Sequence, residues 1–129
     1  MSIIVHHLNN SRSQRILWLL EELNLSYDIR HHARDAVTNL APDALLKVHP
    51  LGKSPMIEDD GKLIFESAAI VEYLCERHNG GNLVPARGTD LHTRYLEFMH
   101  FAEGSVMTPI LLNLQPVALA TFSACPGIR

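Results

Sequence analysis

A chain of 129 residues, 47% apolar and 19% charged, has enough material for one folded domain and part of a second, and its composition excludes a disordered polymer. Its net charge of -3 is made of mixed signs and leaves no basic stripe, which argues against a nucleic-acid partner. The N-terminus lacks the basic flank and long apolar run of a secretory signal. Val106–Phe122, although apolar, is short for a membrane span and is interrupted by Pro109, Asn113, Gln115 and Pro116. Cys75 and Cys125 form neither a C-x-x-C pair nor a disulfide framework, which suits a reducing, cytosolic setting with no membrane partner.

In chain order, Ile3–Val5 reads as a buried strand. A polar turn, Asn9-Asn10, leads to a first helix predicted over Ser11–Leu23, with Ile16, Leu19, Leu20 and Leu23 on one face. Ser11 with Gln14 matches a capping box. Asn24 is a suitable stop, and the alternating run Ser26–Arg30 reads as a second strand. Strand, helix and strand at this spacing imply a right-handed crossover and a parallel pair.

Arg34–Leu40 is loop-like, and Pro42 introduces a short second helix over Asp43–Val48, ended by Pro50 and Gly52. Met56-Ile57 and Leu63–Phe65 flank Asp59-Asp60-Gly61-Lys62, a strong hairpin signal. Glu66-Ser67 opens a third helix, Ala68–His78, with Ile70, Tyr73 and Leu74 facing inward and Asn79-Gly80-Gly81-Asn82 as its stop. The order βαβαββα combines a parallel crossover with an antiparallel hairpin, as a thioredoxin-like α/β fold does. This domain is assigned to residues 1–81, a linker to 82–88, and part of an all-α domain to 89–129. In the last segment Leu91, Tyr95, Phe98 and Ala102 recur at helical spacing, while Gly104-Ser105 and Pro109 are expected to weaken or kink the helix. No period is evident beyond Pro116.

Three turns fall at one edge of such a sheet: Asn9–Ser11, Gly52-Lys53-Ser54-Pro55 and Glu66-Ser67. Taken singly, each has an ordinary reading. Ser11 and Ser67 are good N-caps, Glu66 is an acidic residue near a helix start, Pro55 a strand-entry proline and Lys53 a solvated lysine. A hydroxyl at a helix start can donate to an anion, and an acidic residue beside a helix N-terminus offers both signs of partner that a zwitterionic amino-acid end requires.

The runs S-R-S-Q-R-I-L-W-L-L-E-E-L, H-P-L-G-K-S-P-M-I and E-S-A-A-I-V-E-Y-L resemble the cytosolic glutathione S-transferases, most closely the bacterial and fungal serine-type members, over residues 1 to about 115. That resemblance implies roles. Ser11 would hydrogen-bond the glutathione sulfur. Ser54 would pair its backbone with the cysteinyl unit, beside a cis Pro55. Glu66 and Ser67 would grip the γ-glutamyl end, and Lys53 a tripeptide carboxylate. It also implies glutathione as co-substrate, a small hydrophobic electrophile as partner, and a homodimer.

The energetics are adequate. A free thiol with a pKa of about 8.5 is only a few per cent ionised near neutrality, and lowering it by roughly two units takes about 2.7 kcal/mol. One hydroxyl bond to a charged acceptor supplies about 1.5–3 kcal/mol and a helix start roughly 0.3–1 more.

Other features suggest less. The pairs His6-His7 and His31-His32 would point to opposite faces of their strands and lack metal-ligand spacing, so no metal is expected and the histidines read as surface or strand-end residues. Trp18 and Leu91/Tyr95/Phe98 read as core or interface, and Cys75 as a small core residue. Relative to the family, the chain ends soon after the first helix of the second domain and its tail departs from the family pattern. The sequence is therefore read as a truncated member, with the electrophile half-site largely missing and Tyr95, Phe98 and Leu111 exposed. Three activities follow from the resemblance: conjugation of the glutathione thiolate to small electrophiles, glutathione-dependent disulfide reduction, and binding without turnover.

Overall fold

The structure, a computed structural model, describes residues 2–78 and 83–114. The expected stop at residues 79–82, the tail beyond Pro116 and Cys125 lie outside them. The chain divides into two compact units, Met1–Val84 and Pro85–Arg129.

The first unit is built on one sheet of order β2-β1-β3-β4. β1 (Ile3–Leu8) is longer than its apolar start suggested and runs parallel to β2 (Tyr27–His32), the crossover pair expected. β3 (Met56–Asp59) is antiparallel to β1 and to β4 (Lys62–Phe65). The hairpin loop is Asp60-Gly61, both at positive φ (48° and 80°), the left-handed pair that a two-residue turn requires and that an Asp-Gly sequence supplies.

The two faces of the sheet are covered differently. Ile3, Val5 and Ile57 meet Ile16 and Leu20 of α1 (Ser13–Glu22) and Ile70 and Leu74 of α2 (Ser67–Arg77), forming the main core. On the opposite face Leu8 and Met56 pack on Leu45, which the expected second helix delivers as a single 3₁₀ turn, Asp43–Leu45. Together with the parallel pair and the hairpin, this is the thioredoxin-like arrangement. Cys75 sits in α2 against the core, and burial pushes its thiol up, away from the reactive thiolate.

α1 ends as its sequence prescribes. Asn24 takes φ 52°, its N–H donates to the Glu21 carbonyl, and the Leu25 N–H reaches back to Leu20, a Schellman stop with asparagine in the left-handed position. Its start differs from expectation. The helix begins at Ser13, Arg12 occupies the N-cap and its side chain makes no capping bond, and Gln14 is exposed, so the expected capping box is not what closes the helix start. The Ser11 oxygen instead accepts the Ser13 N–H at 3.2 Å, a local serine turn that competes with a cap. Trp18 is 70% exposed rather than core, with its indole N–H donating to Glu22 one helical turn on.

The second unit holds α3 (Asp90–Phe101), capped by Thr89, whose hydroxyl accepts the His92 N–H at 3.2 Å. Gly104-Ser105 falls in a single π-helical turn, Ala102–Val106, after which α4 (Met107–Leu114) continues. The disturbance expected at these residues is thus a widening of the helix rather than a break. Pro109, which has no N–H to give, lies just beyond the wide turn. Phe98 is exposed as expected, with Leu91 and Phe101, whereas Tyr95 and Leu111 are half-buried.

Candidate functional site

Strand register alone brings the three turns to one edge. In the β1–β3 pair His6 faces Met56, and in the β3–β4 pair Met56 faces Phe65. One step past Met56 therefore aligns Pro55 with His7 on one side and Glu66 on the other. The segment that leaves β1, the one that enters β3 and the one that leaves β4 meet there, because β3 is antiparallel to both neighbours.

The side chains complete that convergence. Ser11 Oγ and Ser54 Oγ lie 3.3 Å apart. Ser54 donates its hydroxyl proton to the His6 carbonyl at 2.9 Å, tying the turn before β3 to β1. The Ser54–Pro55 bond is cis, as the resemblance implied, and Pro55 is buried. Gly52 shapes the approach. It has φ +57°, a conformation that glycine adopts without strain and a residue with a Cβ does not, and a Cβ there would press on the Leu46 side chain just ahead of Lys53 and Ser54. Lys53 is exposed and Ser54 half-exposed, whereas Ser67, the first residue of α2, is only 5% exposed.

Glu66 is exposed at the N-cap of α2, with φ 69° and ψ 118°, a conformation that a residue with a Cβ rarely adopts. Such positions cost about 1–3 kcal/mol and gather at functional sites. Glu66→Gly relieves this strain but gives the unfolded chain more freedom, so a net gain of about 1 kcal/mol in folding stability is expected from urea unfolding. The same change removes the carboxylate, and ligand affinity that depends on Glu66 falls while stability rises.

Three contributors were not singled out from sequence. Arg34 donates to the carbonyls of Asn9 (2.9 Å), Asn10 (3.1 Å) and Asn39 (3.0 Å), so one guanidinium fixes the loop that carries Ser11. Asn10 itself takes φ 53°. Ser13 is fully buried, with its Oγ 2.7 Å from Ser11 Oγ, 2.8 Å from His7 Nδ1 and 3.3 Å from the Leu8 carbonyl. His7 is 8% exposed and His6 0%, so of the two expected readings, surface or strand end, the surface one fails, while both do lie near the end of β1. The adjacent pair does diverge. His7 faces α1, whereas His6 on the other face approaches His32 (3.0 Å) and Glu58 (2.7 Å). The signal for His7 was the alternation Ile3, Val5, His7, which assigns it to the helical face.

Among the described residues no group of three or more His, Cys, Asp or Glu could hold a metal ion, and no helix is long and apolar enough to cross a membrane. The chemistry the site offers is that of hydroxyls, a carboxylate and a helix N-terminus gathered at one edge of the sheet.

Comparison with known proteins gives the family. Residues 2–76, more than half of the chain, match the family model described as glutathione S-transferase, N-terminal domain. Glutathione S-transferase 3 of Schizosaccharomyces pombe is 45% identical over 106 residues, covering 81% of this chain and 43% of that protein. A glutathione S-transferase structure from Actinobacillus pleuropneumoniae superposes with a TM-score of 0.75 at 32% identity, covering 97% of this chain and 56% of that one. A glutathione transferase family member from Pseudomonas fluorescens, solved with bound glutathione, gives a TM-score of 0.66 at 26% identity, covering 79% of this chain and 50% of its own. The chain spans about half the length of the relatives it matches.

Proposed function

This chain belongs to the glutathione S-transferase family, and from that premise we propose that it is a serine-type member which binds glutathione along the edge where the three turns meet and presents the sulfur as a thiolate to a small hydrophobic electrophile. The observation that carries the reading is the 3.3 Å approach of Ser11 Oγ to Ser54 Oγ beside a cis Pro55, which joins two motifs distant in sequence into one hydroxyl-lined corner.

In this reading Ser11 is a hydrogen-bond donor to sulfur, not a nucleophile. Ser54 has already given its proton to the His6 carbonyl, so its backbone is the part left for the cysteinyl unit. The strained, exposed Glu66 carboxylate pairs with the γ-glutamyl ammonium, and Ser67 with the first N–H groups of α2 holds the neighbouring carboxylate. Lys53, exposed beside the corner, meets a carboxylate of the tripeptide. The chain acts as a cytosolic homodimer, without a metal and without nucleic acid or membrane as partner.

The test is a calorimetric titration with glutathione and a conjugation assay on a halogenated aromatic, run on one sample. Saturable heat with conjugation supports the reading. Binding with turnover of a disulfide alone replaces it with a reductase, and binding with neither turnover leaves a glutathione-binding chain without catalysis. Absence of binding sinks it.

A further inference from the structure

Counting protons around Ser11 shows that its donor direction is set from inside the protein. Ser54 gives its only hydroxyl proton to the His6 carbonyl at 2.9 Å, so toward Ser11 it can only accept. The Ser13 N–H points at Ser11 Oγ from 3.2 Å and can only donate. The undetermined contact is the shortest one, the 2.7 Å pair between Ser11 Oγ and Ser13 Oγ.

Ser13 is fully buried and has one proton for three neighbours: Ser11 Oγ, His7 Nδ1 at 2.8 Å and the Leu8 carbonyl at 3.3 Å. With no proton on His7 Nδ1, that nitrogen takes the Ser13 proton. Ser13 then meets Ser11 as an acceptor, and the Ser11 proton turns inward along the 2.7 Å contact. With a proton on Nδ1, the imidazole donates to Ser13. The Ser13 proton is then free to go to Ser11, its nearest neighbour, and the Ser11 proton, released from the inward contact, is left for the accepting Ser54 Oγ at 3.3 Å or for a sulfur bound beside it.

Resting on the glutathione reading above, we infer that His7 and Ser13 are positioning residues which, with the His7 proton on Nδ1, form an internal relay that keeps the Ser11 hydroxyl aimed at the bound sulfur. Both sit on rigid elements, His7 inside β1 and Ser13 at the first turn of α1, and both are shielded from water that could scramble the hydrogen-bond directions. Around the His7 ring stand Ser13 from α1 and His31 from β2, whose ring meets it edge-on at 5.4 Å. The neighbouring His6 turns to the other face.

The experiment is a pH titration of glutathione bound to the whole chain, followed by the ultraviolet absorbance of its thiolate, in wild type, Ser11→Ala, Ser13→Ala, His7→Leu and His7→Asn. Ser13→Ala and His7→Leu are expected to make the bound thiol about tenfold less acidic, or about 1.4 kcal/mol, while glutathione affinity stays within about threefold. His7→Asn, whose amide N–H can stand where Nδ1–H stood and cannot titrate, restores the wild-type value. A merely structural role predicts the opposite split, with affinity and folding lost and no rescue by asparagine.

Ser13→Ala titrating like wild type overturns the relay, as does His7→Asn behaving like His7→Leu. If Ser13→Ala does not fold, the two His7 variants decide. If wild type and Ser11→Ala give the same thiol titration, or wild type gives no bound thiolate, the glutathione reading itself has failed and the relay falls with it.

Discussion

Ser11→Ala is expected to slow conjugation by about 10- to 100-fold while glutathione binds nearly as before, because the lost bond forms to the thiolate and hardly to the neutral thiol. A hydroxyl bond to a charged acceptor is worth about 1.5–3 kcal/mol, and each 1.4 kcal/mol corresponds to about tenfold in rate. Ser11→Thr, which keeps a donor at the same atom, retains most of the rate. Ser54→Ala is a useful contrast. Its hydroxyl is committed to the His6 carbonyl, so its loss loosens the junction between the turn and β1 without removing a donor to sulfur. The measurement is the initial rate at saturating glutathione, alongside the pKa of the bound thiol. A rate and thiol pKa unchanged in Ser11→Ala would remove the serine from the mechanism.

That prediction rests on a position the sequence made legible for a partly mistaken reason. Ser11 and Gln14 fit a capping box, yet the helix starts at Ser13 and the Ser11 oxygen closes a local turn. The pattern located the hydroxyl at the mouth of α1, but it could not say which N–H the oxygen would take, because adjacent N–H groups compete within a fraction of an ångström and a kcal/mol or so. The hairpin turn and the end of α1 were legible because each needs a left-handed residue, and Asp-Gly and Asn24 are among the few that accept it cheaply. Glu66 breaks the same rule: a long side chain at φ 69° is what local chemistry disfavours, so no turn preference pointed to its conformation, and only its charge at a helix start and the family motif drew attention to it.

Burial of the histidines was hidden for another reason. A histidine inside a sheet is affordable only with partners, and the partners here are remote: Ser13 for His7, and His32 and Glu58 for His6. His32 shows the cost directly, since burial, with the nearby His6 and Arg30 charges, lowers its pKa and favours a neutral ring. Periodicity can assign a face, but it cannot supply a partner twenty-six or fifty-two positions away. The relay through Ser13 therefore emerged only when β1 and α1 were set against each other, although both of its residues lie close to Ser11 in the chain.

The largest stability effect is expected at Asp59, the last residue of β3, where Asp59→Ala should cost about 3 kcal/mol in urea or thermal unfolding. Asp59 is 1% exposed, and its Oδ2 collects Tyr73 Oη (3.0 Å), His78 Nε2 (3.0 Å) and Arg77 Nε (3.5 Å), all from α2 or its C-terminal cap. Arg77 is half-exposed, so its share is screened by water and the two hydrogen bonds carry most of the cost. Burial by itself pushes the Asp59 carboxyl up, but the bonds from His78 and Tyr73, with the charges of His78 and Arg77, outweigh it and hold the group below the usual carboxylate range. The folded-state value thus lies below the unfolded one. The stabilisation is complete above about pH 4 and is lost as pH falls through the depressed value. Asp59→Asn should accordingly flatten the acid limb of the stability profile. Asp60→Asn, next door but exposed and 3.9 Å from Arg77, should change stability by less than about 0.5 kcal/mol. Because these contacts clamp the far end of the helix that begins at Ser67, Asp59→Ala should also weaken glutathione binding at temperatures where the chain is still folded. An acid limb in Asp59→Asn as steep as in wild type would show that another carboxylate governs unfolding at low pH.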